Sequence, residues 1–223
     1  MVKVLTFLKR KAGMSVEEFQ DYWRTRHPDV VMRLPGVRRY VQSHVLASAY
    51  AKGEPVHDGI AEVWAEDTDA LRAMTRSPEH VRLVADEAKF IDRARMGFVI
   101  TEDLVVVEGA VGPGGVKAVE FLTRRPDLSL AAFQRHVREA HAPLAAKIPS
   151  LARYVVSIAR ASAYGPGRAP AYDAVALLWL DSPDALRAAG GTPEYRATVG
   201  DRVHFLAPGA PPFIVTREHV IVG

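Results

Sequence analysis

The chain of 223 residues contains no cysteine. Thiol nucleophiles, disulfide staples and thiolate metal sites are excluded in one step. Long apolar runs are missing as well. The opening Met1-Val2-Lys3-Val4 leads into charges at Lys9, Arg10 and Lys11, so neither a secretory leader nor a membrane span is expected. No single sign of charge dominates: 29 basic and 26 acidic residues are interleaved, for a formal net charge of +3. That balance leaves no footprint for nucleic acid. Phosphate loops are absent too, because Gly112-Pro113-Gly114-Gly115 has neither the lysine nor the G-x-G-x-x-G spacing and reads as a linker. No serine sits in a G-x-S-x-G elbow. What remains is 48% hydrophobic and 25% charged, enough to bury a core. A cytoplasmic protein whose partner is a small molecule is expected.

The chain says the same thing twice. Residues 2–43 realign on 116–157 at a constant offset of 114, with 15 of 42 positions identical. Unrelated sequences of this composition would match at roughly one position in fifteen. Ala-Ser-Ala-Tyr recurs at 47–50 and 161–164, and the match then continues at an offset of 115 through Asp58/Asp173, Trp64/Trp179, Asp86/Asp201 and Phe90/Phe205. Copies of this length suit a pair of small domains rather than a solenoid. The expected boundaries are 1–109 and 116–223, joined by a flexible Gly/Pro linker at 110–115.

Each copy reads in the same order. Residues 2–9 alternate as a strand. Ser15-Val16-Glu17-Glu18 forms a capping box, of which the second copy keeps Ser129 and loses the acid. The helix is expected to run to about His27, where Pro28 disfavours continuation. Strands follow at Arg39–Val45 and Gly59–Ala65, a restarted helix with Pro78 at its first position, and a last strand at Val99–Val107. The order β-α-β-β-α-β is the ferredoxin-like split unit. Its bare sheet face must be buried, and a duplication supplies a second sheet to do so. The expected fold is therefore α+β: two ferredoxin-like halves forming a dimeric-type α+β barrel within one chain. This internal pseudo-dimer leaves its outer helix faces free to pair as a homodimer.

The run Glu18-Phe19-Gln20-Asp21-Tyr22-Trp23-Arg24-Thr25-Arg26-His27-Pro28, followed by Leu34-Pro35-Gly36-Val37-Arg38-Arg39-Tyr40-Val41-Gln42, resembles the EthD family of dimeric α+β barrels. The resemblance continues through Asp58–Trp64 and Ser77-Pro78-Glu79, covers nearly all of the first copy and, more loosely, the second. It implies proton-transfer chemistry without metal or organic cofactor, in a pocket inside the barrel. It also implies a histidine followed thirteen residues later by a tyrosine in that pocket, as in the lactone methylisomerase-like members. His27 and Tyr40 have this spacing, as do His141 and Tyr154.

The residues themselves add detail. Phe19, Trp23 and His27 fall at i, i+4 and i+8, one inward helical stripe. The alternative is a helix-terminal histidine favoured by the dipole and satisfied by a carbonyl. Tyr40, Gln42 and His44 alternate, so all three project from one face of their strand. A buried phenol can donate to an oxyanion and a neutral imidazole can take a proton beside a carbonyl. The catalytic candidates are His27, Tyr40, His44 and His57; Gln42, Trp23, Trp64, His141 and Tyr154 are candidates for substrate contact. The second copy has Val156, Ile158 and Tyr172 in place of Gln42, His44 and His57, so the larger polar pocket is expected in the first copy. His136 and His141 do not form the H-E-x-x-H zinc pattern. Five residues apart, they should point some 140° from each other on a regular helix. The repeated Arg10/Arg124, Arg24/Arg138 and Arg39/Arg153 read as structural, with one of them a possible anchor for an anion.

Three functional classes are consistent with these features. The first is a cofactor-free lyase or isomerase (dehydratase, cyclase or lactone-isomerase type) acting on a carbonyl-bearing or aromatic small molecule. The second is a cofactor-independent monooxygenase or haem-handling protein. The third is a non-catalytic small-molecule-binding accessory of a degradation or stress pathway.

Overall fold

A computed structural model describes residues 1–51 and 53–223. The alternating segment Val2–Leu8 forms β1, and Ser15 caps α1 (Val16–Thr25) through the expected box. Its hydroxyl accepts from Glu18 N at 3.1 Å, and Glu18 Oε2 accepts from Ser15 N at 2.8 Å. Helix α1 stops earlier than expected. Pro28 has no N–H for the i−4 carbonyl, but its fixed φ suits a first turn, so it opens a second short helix α2 (His27–Val31) instead of merely ending the first. Then come β2 (Arg39–Val45), α3 (Ala47–Tyr50), β3 (Gly59–Ala65), α4 (Thr68–Arg76), α5 (Pro78–Phe90) and β4 (Gly97–Val107).

The second copy repeats the order with β5 (Val116–Leu122), α6 (Leu130–His136), a π-turn (Val137–His141), α7 (Ala142–Ala145), β6 (Leu151–Ala159), β7 (Ala174–Leu180), α8 (Pro183–Ala189), α9 (Pro193–Asp201) and β8 (Phe213–Val222). The eight strands follow the order β1-β3-β2-β8-β5-β7-β6-β4 and close as a barrel within the one chain. By packing, the chain divides into a first unit of residues 1–100 with 218–223 and a second of residues 101–217. Strands β4 and β8 each contribute residues to both units.

In the first unit, β1 and β2 flank β3 antiparallel, with Val4 and Tyr40 both opposite Val63. Val2, Val4, Val63 and Ala65 share a cluster with Val31 and Leu34 and with Leu71 and Met74 of α4, while Leu8 and Ala61 join Phe19, Trp23 and Phe90. These side chains mark the helix-covered face of the sheet. The opposite face holds Lys3 paired to Glu62 at 2.9 Å, with Lys3 and Arg39 over the Trp64 ring at 5.1 and 5.0 Å. Lys117 and Arg153 repeat that arrangement on Trp179.

The recurring Ala-Ser-Ala-Tyr has a structural role. Tyr50 donates to Asp58 at 2.7 Å and Arg10 binds the same carboxylate; Tyr164 donates to Asp173 at 2.6 Å and Arg124 binds that one. A buried carboxylate holds down the loop in each half, and the repeated Arg10/Arg124 are structural.

Candidate active site

His27 is buried, at 6% exposure, on the stripe that begins with Phe19 and Trp23. It is satisfied by a carboxylate rather than a carbonyl: Nδ1 lies 2.8 Å from Asp86 Oδ2 of α5. Tyr22 donates to Asp86 Oδ1 at 2.6 Å and Lys89 to the same oxygen at 3.0 Å. The edge of the His27 ring meets Phe90, with centroids 5.0 Å apart. Burial lowers the His27 pKa and the Asp86 carboxylate restores only part of it, so the ring is neutral near pH 7. Burial alone would raise Asp86, but its Tyr22, His27 and Lys89 donors hold it below its ordinary value. The charged carboxylate fixes the proton on Nδ1, and the Nε2 lone pair becomes the basic position.

The strand residues form a second network. Tyr40 Oη accepts from Trp23 Nε1 at 3.2 Å and from Gln42 Nε2 at 2.8 Å. Gln42 Nε2 also donates to the Trp23 carbonyl at 2.7 Å, and Gln42 Oε1 takes His44 Nε2–H at 2.9 Å. With both lone pairs of the phenol occupied, the Tyr40 O–H proton is the group left to donate. Burial pushes this phenol's pKa well up, so it stays protonated. His44 stacks on Trp23 at 4.1 Å and 18° and meets the edge of His219 at 4.9 Å. Burial first, then the charges of His219 and Arg24, lower His44 to about 3.

Gly59 makes the stack possible, since a Cβ there would stand 2.5 Å from the Trp23 ring. The second copy has Val137 and Ala174 at these two positions. Tyr40, Gln42 and His44 therefore share one face, as their alternation predicts. That face is the one under α1, however, not the barrel interior, because the Trp23 indole reaches down to the phenol.

Two candidates lie elsewhere. Trp64 is on the opposite face, between Lys3 and Arg39. His57 rests against Phe7 at 4.7 Å, where burial first and Lys9 next lower it to about 4. Tyr172 occupies the same position against Phe121 at 4.8 Å.

In the second unit His141 keeps its carboxylate, with Nδ1 2.9 Å from Asp201 Oδ2, and its ring lies 4.5 Å from Phe205. His136 Nε2 binds the same carboxylate, 3.0 Å from Oδ1. The expectation that the two imidazoles diverge fails because residues 137–141 form a π-turn. Its wider i→i+5 repeat brings residues five apart onto one side. His136 occupies the position of Tyr22 in the first copy and binds the acid in its place. Tyr154, Val156 and Ile158 are buried on β6. Beside them the sequence reading missed a partly buried pair, Glu120 of β5 with Arg202, the residue after α9. Burial raises the Glu120 pKa, and Arg202 offsets only part of that rise. Asp86 and Asp201 were also missed as partners, although both persist at equivalent positions alongside His27 and His141. No group of three His, Asp or Glu side chains suited to a metal occurs among the described residues, and none of their helices is long and apolar enough to cross a membrane.

No curated protein matches the sequence. Among solved structures, an anthrone oxidase-like protein is 16% identical with a TM-score of 0.67, over 98% of this chain and 92% of its own. A protein of Lactobacillus acidophilus named provisionally as a monooxygenase is 10% identical with a TM-score of 0.58, over 99% of this chain and 95% of its own. An EthD family protein of Bacillus halodurans is 24% identical with a TM-score of 0.40, over 47% of this chain and 99% of its own. At these identities the two long matches establish the fold alone. The EthD domain matches twice, over residues 11–94 and 125–209. With both matches falling on the two halves that carry the His–Asp pairs, the chain belongs to the EthD domain family, as two EthD domains in tandem.

Proposed function

We propose that the first unit is a cofactor-free proton-transfer enzyme, a lyase or isomerase acting on a small molecule with a carbonyl group, in a cytoplasmic setting. The observation that carries this reading is the pairing of His27 Nδ1 with Asp86 at 2.8 Å on a buried ring. It leaves Nε2 to remove a proton from the carbon beside the carbonyl. Negative charge then develops on the carbonyl oxygen, where the Tyr40 O–H is a donor held by Trp23 and Gln42. Held in place before substrate arrives, such a donor does not reorganise as charge develops.

A second reading, cofactor-independent oxygenation, begins with the same proton abstraction and passes the resulting carbanion's electrons to dioxygen. The likeness in fold to an anthrone oxidase-like protein favours keeping it beside the first. Proton–deuterium exchange into a panel of ketones, lactones and anthrones, monitored by NMR with oxygen uptake in parallel, tests both. His27→Ala should slow exchange by about 10²–10⁴-fold. Tyr40→Phe should slow it by about 10²-fold. Oxygen uptake would select the second reading. Binding without exchange would make the protein a carrier.

A further inference from the structure

The second unit carries an ion pair with no counterpart in the first. Glu120 stands where the first copy has Thr6, and Arg202 where it has Glu87. The two are joined through Arg202 Nη2 and Glu120 Oε1, and their side chains remain 19% and 11% exposed. Glu120 reaches Nη2, and on that same edge of the guanidinium Arg202 Nε is buried and has no hydrogen-bond partner among the described residues. A guanidinium is a planar fork that matches a carboxylate with two parallel bonds. An orphaned N–H on such a fork calls for an acceptor.

The surroundings suit an organic acid. Arg202 acts electrostatically on Tyr154 and on His141. Burial first, then the charges of Arg202 and His136, keep the His141 ring neutral against the pull of Asp201. Val137, Val156 and Ile158, all buried, replace Trp23, Gln42 and His44 and offer apolar contact where the first copy offers hydrogen bonds.

We propose that Arg202 is the receptor of an anion site in the second unit. It takes the carboxylate of a small organic acid, and Glu120 holds that place when no acid is bound. Substitution of one half of a duplicated site would then give one chain two ligand chemistries, a neutral carbonyl compound in the first unit and a carboxylate in the second.

Benzoate is the probe, titrated into the whole chain by calorimetry with the His141 ring signals followed by NMR. Saturable binding with a shift of those signals is expected. Glu120→Gln keeps an oxygen for Nη2 but removes the competing charge, and should tighten binding by about tenfold. Arg202→Gln should weaken it at least about tenfold, and Arg202→Lys, which keeps charge without the fork, should fall between. His27→Ala should bind as the wild type does. The proposal is overturned by weaker or unchanged binding in Glu120→Gln, by undiminished binding in both Arg202 variants, or by loss of binding in His27→Ala. It is equally overturned if neither wild type nor Glu120→Gln binds benzoate at millimolar concentration. Should Arg202→Gln fail to fold, the Glu120→Gln and Arg202→Lys measurements decide alone.

Discussion

Replacing Asp86 by asparagine tests the His27 pair most sharply, because the surroundings dictate how the new amide must turn. Tyr22 and Lys89 both donate to Oδ1, while His27 Nδ1 faces Oδ2. An asparagine has one oxygen and one NH₂. The two donors on the Oδ1 side hold the oxygen there, although Lys89 is largely exposed and contributes little. The NH₂ is then aimed at Nδ1, which must accept, and the imidazole proton moves to Nε2. The position assigned to proton abstraction loses its lone pair.

Turnover should therefore fall by about 10²–10⁴-fold, the size of a general-base contribution. Loss of the carboxylate also removes the one influence that raises the His27 pKa, so the acid limb of the rate profile should move to lower pH. Adding Tyr22→Phe frees the amide to turn over and should restore part of the activity. Nitrogen-15 shifts of the His27 ring report the tautomer directly, without any substrate. An asparagine variant that keeps the proton on Nδ1, or one that retains wild-type turnover, would refute the reasoning.

Two further outcomes follow from the same geometry. Gln42 is fully buried and bonded to the Trp23 carbonyl, Tyr40 and His44. Gln42→Leu should thus cost about 2–3 kcal/mol in urea unfolding by leaving these groups unsatisfied, and a cost below about 0.5 kcal/mol would show that the network is dispensable. His57 has a folded-state pKa lowered to about 4, so the unfolded chain takes the proton first. Stability should fall as pH drops from about 6.5, the unfolded value, through about 4. His57→Tyr, which copies Tyr172, should flatten part of that fall in melting temperature, and an unchanged profile would mean the buried ring is not its source.

What was legible in the sequence was local. Four-residue spacing placed Phe19, Trp23 and His27 on one stripe, and alternation placed Tyr40, Gln42 and His44 on one face, because helix and strand periods act within a few residues. Which face remained hidden, since both sides of β3 are lined by residues suited to burial and the contacts of Trp23 with Tyr40, Gln42 and His44 decide it. Asp86 lies 59 residues from His27, and no period connects them; its trace was an acid retained in both copies beside a retained histidine. Tyr22 and His136 share a role without sharing a side chain, so identity between copies passed over them. The π-turn left no mark because the expectation for His136 and His141 presupposed a regular helix. Glu120 and Arg202 left no trace either: they differ from their counterparts Thr6 and Glu87, and 82 residues separate them with no period to connect them.

The end of the chain belongs to its beginning. Ile221 and Val222 pack with Val2, Val31, Leu34 and Tyr40, and His219 meets His44, while residues 218–223 count with the first unit. A premature stop codon near the carboxyl terminus would thus erode the core beneath the first domain and spare most of the second. A gene split at the repeat boundary would give two products, each missing residues that complete its packed unit. Deleting or transplanting one copy would therefore also remove residues that complete the packed unit of the other. Inheritance keeps them together while their side chains drift apart, so one half can explore new chemistry without being lost from the lineage of the other.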